Sequence, residues 1–150
     1  MLDTIDDILD FAIKEEEGAA AFYRDLAGRM ENAETRKVFE EFAQEEEGHK
    51  AKLQDVKAGK AFVSTAEHPL DLKIAEQLVK VDPFRPDLDY QQALVVAMKK
   101  EKAAYLLYMN LAKSAEDATI RDLFVGLANE EAKHKLRFEI EYDDNIMIWN

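Results

Sequence analysis

Apolar residues recur at steps of three and four along four stretches of the chain, a spacing that is typical of amphipathic α-helices. The four predicted helices run from about Asp3 to Met30, from Asn32 to Val56, from Asp89 to Lys113 and from Asp117 to about Phe138. Asn32 and Asp117 can cap the helices that follow them, and Asp89 with Gln92 has the form of a capping box. The turns within each helix pair are short, so the pattern predicts two antiparallel helical hairpins.

Each of the four apolar stripes carries acidic or imidazole side chains near its middle. These are Glu16 in the first stripe, Glu46 and His49 in the second, Glu101 in the third, and Glu131 and His134 in the fourth. Residues three apart lie on one face of a helix, so both Glu-x-x-His pairs can present their ligand atoms to one ion. A single such pair on a helix is as readily an accident of a solvated surface.

An internal repeat indicates that this pattern is not an accident. The two Glu-x-x-His pairs lie 85 residues apart, and this one offset relates other residues of the two halves as well. The same offset pairs Glu16 with Glu101 and Tyr23 with Tyr108. The neighbouring acids do not repeat, since residues 15 and 17 are glutamates but residues 100 and 102 are lysines. The chain is therefore predicted to contain two copies of one hairpin, each with a lone Glu and a Glu-x-x-His pair.

The segment between the hairpins interrupts the helical pattern. All three prolines of the chain lie in it, at positions 69, 83 and 86. We predict one domain over residues 1–150, with hairpin one at about 3–57, a crossover at about 58–88 that contains a short helix, hairpin two at about 89–142 and an apolar tail at 143–150. The fold class is all-α, a four-helix bundle in which each hairpin covers the buried face of the other.

The composition excludes several kinds of partner and of metal site. A formal net charge of −12 argues against nucleic acids and anionic membrane surfaces as partners. The absence of cysteine excludes disulfides and thiolate metal sites within these residues and fits a cytoplasmic location. No apolar run approaches the length of a membrane span.

A pair of metal ions would resolve the electrostatic problem of four carboxylates in one core. Burying an unpaired charge costs several kcal/mol, whereas two divalent cations balance four glutamates. An oxygen-rich site with one imidazole per ion suits two iron ions, with manganese or a mixed pair also possible. We predict that Glu46 and Glu131 bridge the ions, that Glu16 and Glu101 are terminal ligands, and that His49 and His134 lie on the Glu16 and Glu101 sides respectively.

Tyr23 and Tyr108 follow the lone glutamates by seven residues on the same helical face, about 10 Å of rise away. We predict that they take part at the site by hydrogen bonding to a ligand carboxylate. Ordinary core tyrosines would show the same spacing. His68 has no matching acid and is interpreted as a surface residue.

With these motifs, the sequence resembles the rubrerythrin-like branch of the ferritin-like di-iron carboxylate superfamily. The resemblance implies a bundle with a long crossover, a dinuclear iron site and reduction of peroxide with electrons from a rubredoxin-type centre. These 150 residues include no rubredoxin domain, so we expect a separate donor protein of rubredoxin type. The extra carboxylate that rubrerythrins carry near the third-helix glutamate is also missing, with Met98 and Ala104 at the candidate positions.

Three functions remain open. The first is an oxidoreductase that reduces peroxide or O₂ with electrons from the donor protein. The second is a ferroxidase or iron-handling protein of ferritin type, and the third is a non-catalytic helical interaction module with a structural metal. We further expect a homodimer, because the predicted bundle is small and its tail is apolar.

Overall fold

The computed structural model describes residues 4–59 and 87–145, and all the regular elements in these ranges are helices. They are α1 (Ile5–Arg29), α2 (Ala33–Gly59), α3 (Tyr90–Ser114) and α4 (Ala118–Asn145). The all-α prediction is confirmed. The short helix predicted in the crossover lies outside the described residues, as does the tail from residue 146. Helix α4 continues through Asn145, three residues beyond the predicted end of hairpin two.

The helix starts follow from side-chain caps that the sequence carries. Thr4 caps α1 in a capping box with Asp7, one residue later than the start predicted at Asp3. Asn32 Oδ1 accepts hydrogen bonds from the first backbone N–H groups of α2, and Asp117 Oδ1 does the same for α4. The predicted capping box of Asp89 opens α3. Each cap satisfies N–H groups that a helix leaves without an internal partner.

The chain divides into two compact units, of which the first holds α1 and α2. Three ion pairs join the exposed edges of these two antiparallel helices at steps of seven residues along α1. They link Asp10 with Lys57, Glu17 with Lys50 and Arg24 with Glu47. In the interior, the ring of Tyr23 meets the ring of Phe42 edge-on at 6.4 Å. We refer to this unit as hairpin one.

The second unit, hairpin two, holds α3 and α4 in the same antiparallel arrangement. Tyr108 stacks on Phe124 with ring centroids 6.2 Å apart. Near the other end, the hydroxyl of Tyr90 on α3 donates a hydrogen bond of 3.2 Å to Glu141 on α4. These contacts fix how far one helix is shifted along the other.

The apolar stripes read from the sequence are largely buried. In α4, for example, Phe124, Leu127 and Phe138 are each no more than 1% exposed. Helix α3 buries a wider face than its stripe predicted, because Ala93, Val96 and other residues beside the stripe are buried as well. Within the described ranges, no helix combines the length and the apolar character that crossing a membrane requires.

Candidate metal centre

Hairpin one brings three potential metal ligands together in its interior. Glu16 comes from the middle of α1, and Glu46 and His49 come from α2. His49 Nδ1 lies 3.6 Å from Glu16 Oε2 and 3.7 Å from Glu46 Oε1. One ligand atom from each of the three residues lies within 4.8 Å of the other two. The helical repeat of about 3.6 residues per turn explains the pairing on α2, since residues three apart lie on nearly the same face.

Hairpin two builds the same arrangement from the second copy of the motif. Glu101 comes from α3, and Glu131 and His134 come from α4. His134 Nδ1 lies 3.7 Å from Glu101 Oε2, and the ligand atoms of all three residues again lie within 4.8 Å of one another. The structure thus places each histidine beside the lone glutamate of its own hairpin, as the sequence symmetry suggested.

The separations within each triad suit a shared cation better than direct hydrogen bonds. Contacts of 3.6 and 3.7 Å exceed the usual 2.7–3.2 Å of a hydrogen bond to nitrogen. Two atoms that each lie about 2.1 Å from one ion are about 3.0 to 4.2 Å apart, depending on the angle at the ion. Each triad could therefore close around a cation with little movement of its side chains.

All six side chains are removed from solvent. Glu16 is 3% exposed, and the other five are each 1% or 2% exposed. Ionised carboxylates at this depth need positive charge nearby, because water cannot screen them, and without a cation the alternative is protonation. Hard carboxylate oxygens with one imidazole form a donor set that fits iron or manganese, and the residues present therefore fit the predicted metal ions.

Tyr23 and Tyr108 are buried one heptad along from Glu16 and Glu101. The ring of Tyr23 meets the rings of Phe22 and Phe42 edge-on, and Tyr108 stacks on Phe124. Both rings thus belong to aromatic clusters in the interiors of their hairpins. Their role at the site, as hydrogen-bonding partners of a ligand carboxylate, stays a prediction.

Sequence reasoning missed a second polar cluster in hairpin two. Glu141 is only 8% exposed, yet it forms an ion pair with Arg137 at 3.0 Å and accepts the hydrogen bond from Tyr90. Burial, followed by the nearby Glu141 charge, raises the pKa of Tyr90 well above its ordinary value of 10. A signal was available, because Glu141 continues the inward stripe of Glu131, His134 and Phe138.

Two solved structures share the fold of this chain. One comes from Thermotoga maritima and is described as a candidate ferritin-like diiron-carboxylate protein. Its TM-score is 0.70 at 23% identity, and the match covers 95% of this chain and 96% of that one. The other, a hypothetical protein from Pyrococcus furiosus, has a TM-score of 0.73 at 24% identity, with coverage of 98% and 92%. The fold is therefore that of the ferritin-like class, and this prediction is confirmed.

The family follows from a different comparison. The family model described as Rubrerythrin matches residues 7–142, which is most of the chain and includes all six triad residues. The chain belongs to the rubrerythrin family, and the resemblance drawn from the doubled motif is confirmed. A search of curated proteins returned no match.

Proposed function

We propose that this chain is a di-iron carboxylate oxidoreductase that reduces peroxide or O₂ with electrons from a separate donor protein. The observation that carries the proposal is the duplicated triad of two glutamates and one histidine, buried in both hairpins of a rubrerythrin-family chain. In ferritin-like di-iron proteins, lone glutamates on two helices and Glu-x-x-His pairs on the other two hold the metals. This chain supplies that set once, with one half of it in each hairpin.

In the proposed centre, Glu16 and His49 would hold one ion, and Glu101 and His134 would hold the other. Glu46 and Glu131, predicted to be shared by the two ions, would complete the ligand set, so that four carboxylates balance two divalent charges. Six protein side chains would leave room in the ligand sets of both ions for a small oxidant. When bound, the ions would supply the electron transfer that peroxide or O₂ reduction requires.

The protein's own contribution is to fix the ligands and to exclude water. In both triads the imidazole turns Nδ1 toward the carboxylates. Nδ1 would therefore be the ligating atom, and Nε2 would carry the proton of the neutral ring. Tyr23 and Tyr108 would act as positioning residues that steady the carboxylates.

The metal in the proposal is iron, and manganese or a mixed pair fits the same oxygen-rich donors. These 150 residues contain no cysteine, so a thiolate-bound iron centre able to deliver electrons must lie outside them. We expect a rubredoxin-type donor, a small oxidant as substrate, and a homodimer as the assembly. A cytoplasmic location also stays a prediction.

The proposal is tested by loading the purified protein with iron and reducing it without oxygen. Addition of one equivalent of hydrogen peroxide per pair of irons should then restore the oxidised absorbance rapidly and in full. Replacing His49 by Ala should remove the response, because the first triad loses its nitrogen ligand. Slow or incomplete reoxidation of the wild-type protein would rule out peroxide as its oxidant.

One observation favours a second candidate, a ferroxidase of ferritin type. The two triads are nearly identical, with histidine to glutamate distances of 3.6 and 3.7 Å, and Met98 and Ala104 offer no additional carboxylate near Glu101. A ferroxidase would oxidise many Fe²⁺ ions per chain in repeated rounds. Oxidation that stops after two irons per chain would exclude this function.

A further inference from the structure

We propose that the two halves of the metal centre are unequal, with the resident ion held by hairpin one and the exchangeable ion held by hairpin two. The inference deepens the proposed function, on whose metal centre it rests, by naming the order in which the two triads fill and empty. It comes from comparing the charged residues beside the two triads, because the internal repeat makes each hairpin a reference for the other.

The ligands themselves do not distinguish the triads. Each triad contains two glutamates and one histidine, and all six side chains are between 1% and 3% exposed. The distance from the histidine Nδ1 to the lone glutamate is 3.6 Å in hairpin one and 3.7 Å in hairpin two. A difference in metal affinity between the triads would therefore have to come from their surroundings.

The surroundings differ in the sign of their charge. The residues directly before and after each ligand have their Cα atoms about 3.8 Å from that of the ligand. In hairpin one these flanking residues include four glutamates and one lysine, a sum of −3, namely Glu15, Glu17, Glu45, Glu47 and Lys50. In hairpin two they include four lysines and one glutamate, a sum of +3, namely Lys100, Lys102, Glu130, Lys133 and Lys135.

Two ion pairs reduce this difference without removing it. Each of them brings in one charge from outside the flanking residues, because Glu47 pairs with Arg24 and Lys135 pairs with Glu139. Counting Arg24 and Glu139 changes the sums to −2 for hairpin one and +2 for hairpin two, a difference of four charges. The two triads are thus alike in their ligands and opposite in their flanking charge.

A difference of four charges is large enough to order the binding of two ions. Most of the flanking side chains are exposed or half-buried, so the dielectric constant of water applies to them. At roughly 12 Å, a unit charge then changes the binding constant of a divalent cation about threefold. At an ionic strength of about 10 mM, screening leaves about two-thirds of this interaction, and four charges together change the constant about twentyfold. At about 0.5 M, the same four charges change it less than about twofold.

The sign of the difference gives the order of binding. A cation is stabilised beside the negative flanking charge of hairpin one and destabilised beside the positive flanking charge of hairpin two. The first equivalent of metal should therefore enter the triad that contains Glu16 and His49. When metal is scarce, the ion at Glu101 and His134 should be the first to leave, which makes hairpin two the exchangeable half.

Two variants that each disable one triad test this order, with Mn²⁺ as the probe because its binding needs no oxidant. His134→Ala disables the triad of hairpin two, and His49→Ala disables that of hairpin one. Titration calorimetry at about 10 mM ionic strength should show one ion bound by each variant, about twentyfold more tightly by His134→Ala. In about 0.5 M NaCl the two affinities should differ less than about twofold. Equal affinities at low salt, no binding by His134→Ala, or a difference that high salt leaves unchanged would overturn the proposal.

A charge variant with both triads intact gives a second measurement. The wild type should bind two Mn²⁺ ions in two steps, but repulsion between the ions would also separate these steps. Lys102→Glu identifies the weaker site, because it introduces at an exposed position of hairpin two the glutamate that hairpin one has at residue 17. The second step should tighten about fivefold at low ionic strength, and the first should stay within about twofold of wild type.

Lys113→Glu is the matched control, because it makes the same charge change at an exposed residue of α3 about 16 Å further along the helix. Both binding steps of this variant should stay within about twofold of wild type. If Lys102→Glu tightens the first step, or changes neither step, the assignment of the exchangeable ion to hairpin two is wrong. Peroxide reoxidation of the iron-loaded protein tests the proposed function separately, because Mn²⁺ binding involves no oxidant.

Discussion

Replacing Glu46 by Gln should stabilise the metal-free protein and weaken its response to metal. Glu46 and Glu16 present carboxylate oxygens within 4.8 Å of each other, and both side chains are almost fully buried. Gln has nearly the same shape and removes one of the two charges. The variant therefore separates the electrostatic cost of the triad from its packing.

The size of this stabilisation follows from the distance between the carboxylate oxygens of Glu46 and Glu16. Two full charges 4.8 Å apart repel by about 3.5 kcal/mol at an effective dielectric constant of about 20. Protonation of one carboxyl group relieves part of this repulsion in the wild type, so the net gain should be about 1–3 kcal/mol. For a chain of this length, that corresponds to a rise of about 3–10 °C in melting temperature.

The same substitution should have the opposite effect on the metal-bound protein, because it should lower the stabilisation that bound metal provides. A metal present at about 100 times its dissociation constant stabilises the folded state by about 2.7 kcal/mol. Tenfold weaker binding after the loss of one ligand would reduce this to about 1.4 kcal/mol. Glu46→Gln should consequently melt above wild type with a chelator and gain only about half of the wild-type increase when metal is added.

Calorimetry in EDTA measures the melting temperature of the metal-free protein, and calorimetry in anaerobic Fe²⁺ measures how far bound metal raises it. Glu40→Gln, an exposed change on the same helix, is the control and should leave both melting temperatures within about 1 °C of wild type. If Glu46→Gln melts below wild type in EDTA, repulsion between the two carboxylates does not destabilise the metal-free protein. If its metal response is unchanged, Glu46 is not a ligand.

Three further predictions concern the helices around the triads. Tyr90 should stay protonated at pH 11 in NMR spectra of the folded protein, because burial and the Glu141 carboxylate both raise its pKa, and Tyr90→Phe should identify its signal. The stability contributed by the ion pair of Lys50 with Glu17 should be complete below pH 10 and disappear as the raised pKa of Lys50 is passed, so chemical unfolding of Lys50→Met should approach wild type at high pH. Gly126→Ala should raise the free energy of unfolding by about 0.5–1 kcal/mol, because an added Cβ inside α4 meets no atom within 4 Å.

The parts of the site that could be predicted from the sequence are those that occur at equivalent positions in both copies of the repeat. Glu16 and Glu101 occupy equivalent positions in two amphipathic stripes, and an accident at both is improbable. Their burial and their approach to the histidines followed directly from helical periodicity. The caps at Asn32, Asp89 and Asp117 were readable for a similar reason, because the side chain and the N–H groups it binds are adjacent in sequence.

Features present in only one copy were harder to find. Glu141 corresponds to Val56, which is apolar and buried in hairpin one, so the repeat marks the position as inward but gives no reason to expect a charged group there. Lys100 corresponds to Glu15, which is only half-buried, so the repeat does not predict its burial. The hydrogen-bond partner of Glu141, Tyr90, is distant in sequence, and helical periodicity does not reveal such a contact. The wide buried face of α3 is a tertiary feature of the same kind.

The most direct test of the metal centre is the iron content of the loaded protein. Elemental analysis after anaerobic loading and removal of unbound metal should find two iron ions per chain in the wild type. In a variant with His49 and His134 both replaced by Ala, the content should fall below one. Two irons retained in that variant, or none in the folded wild type, would contradict the assignment of the buried triads as metal ligands.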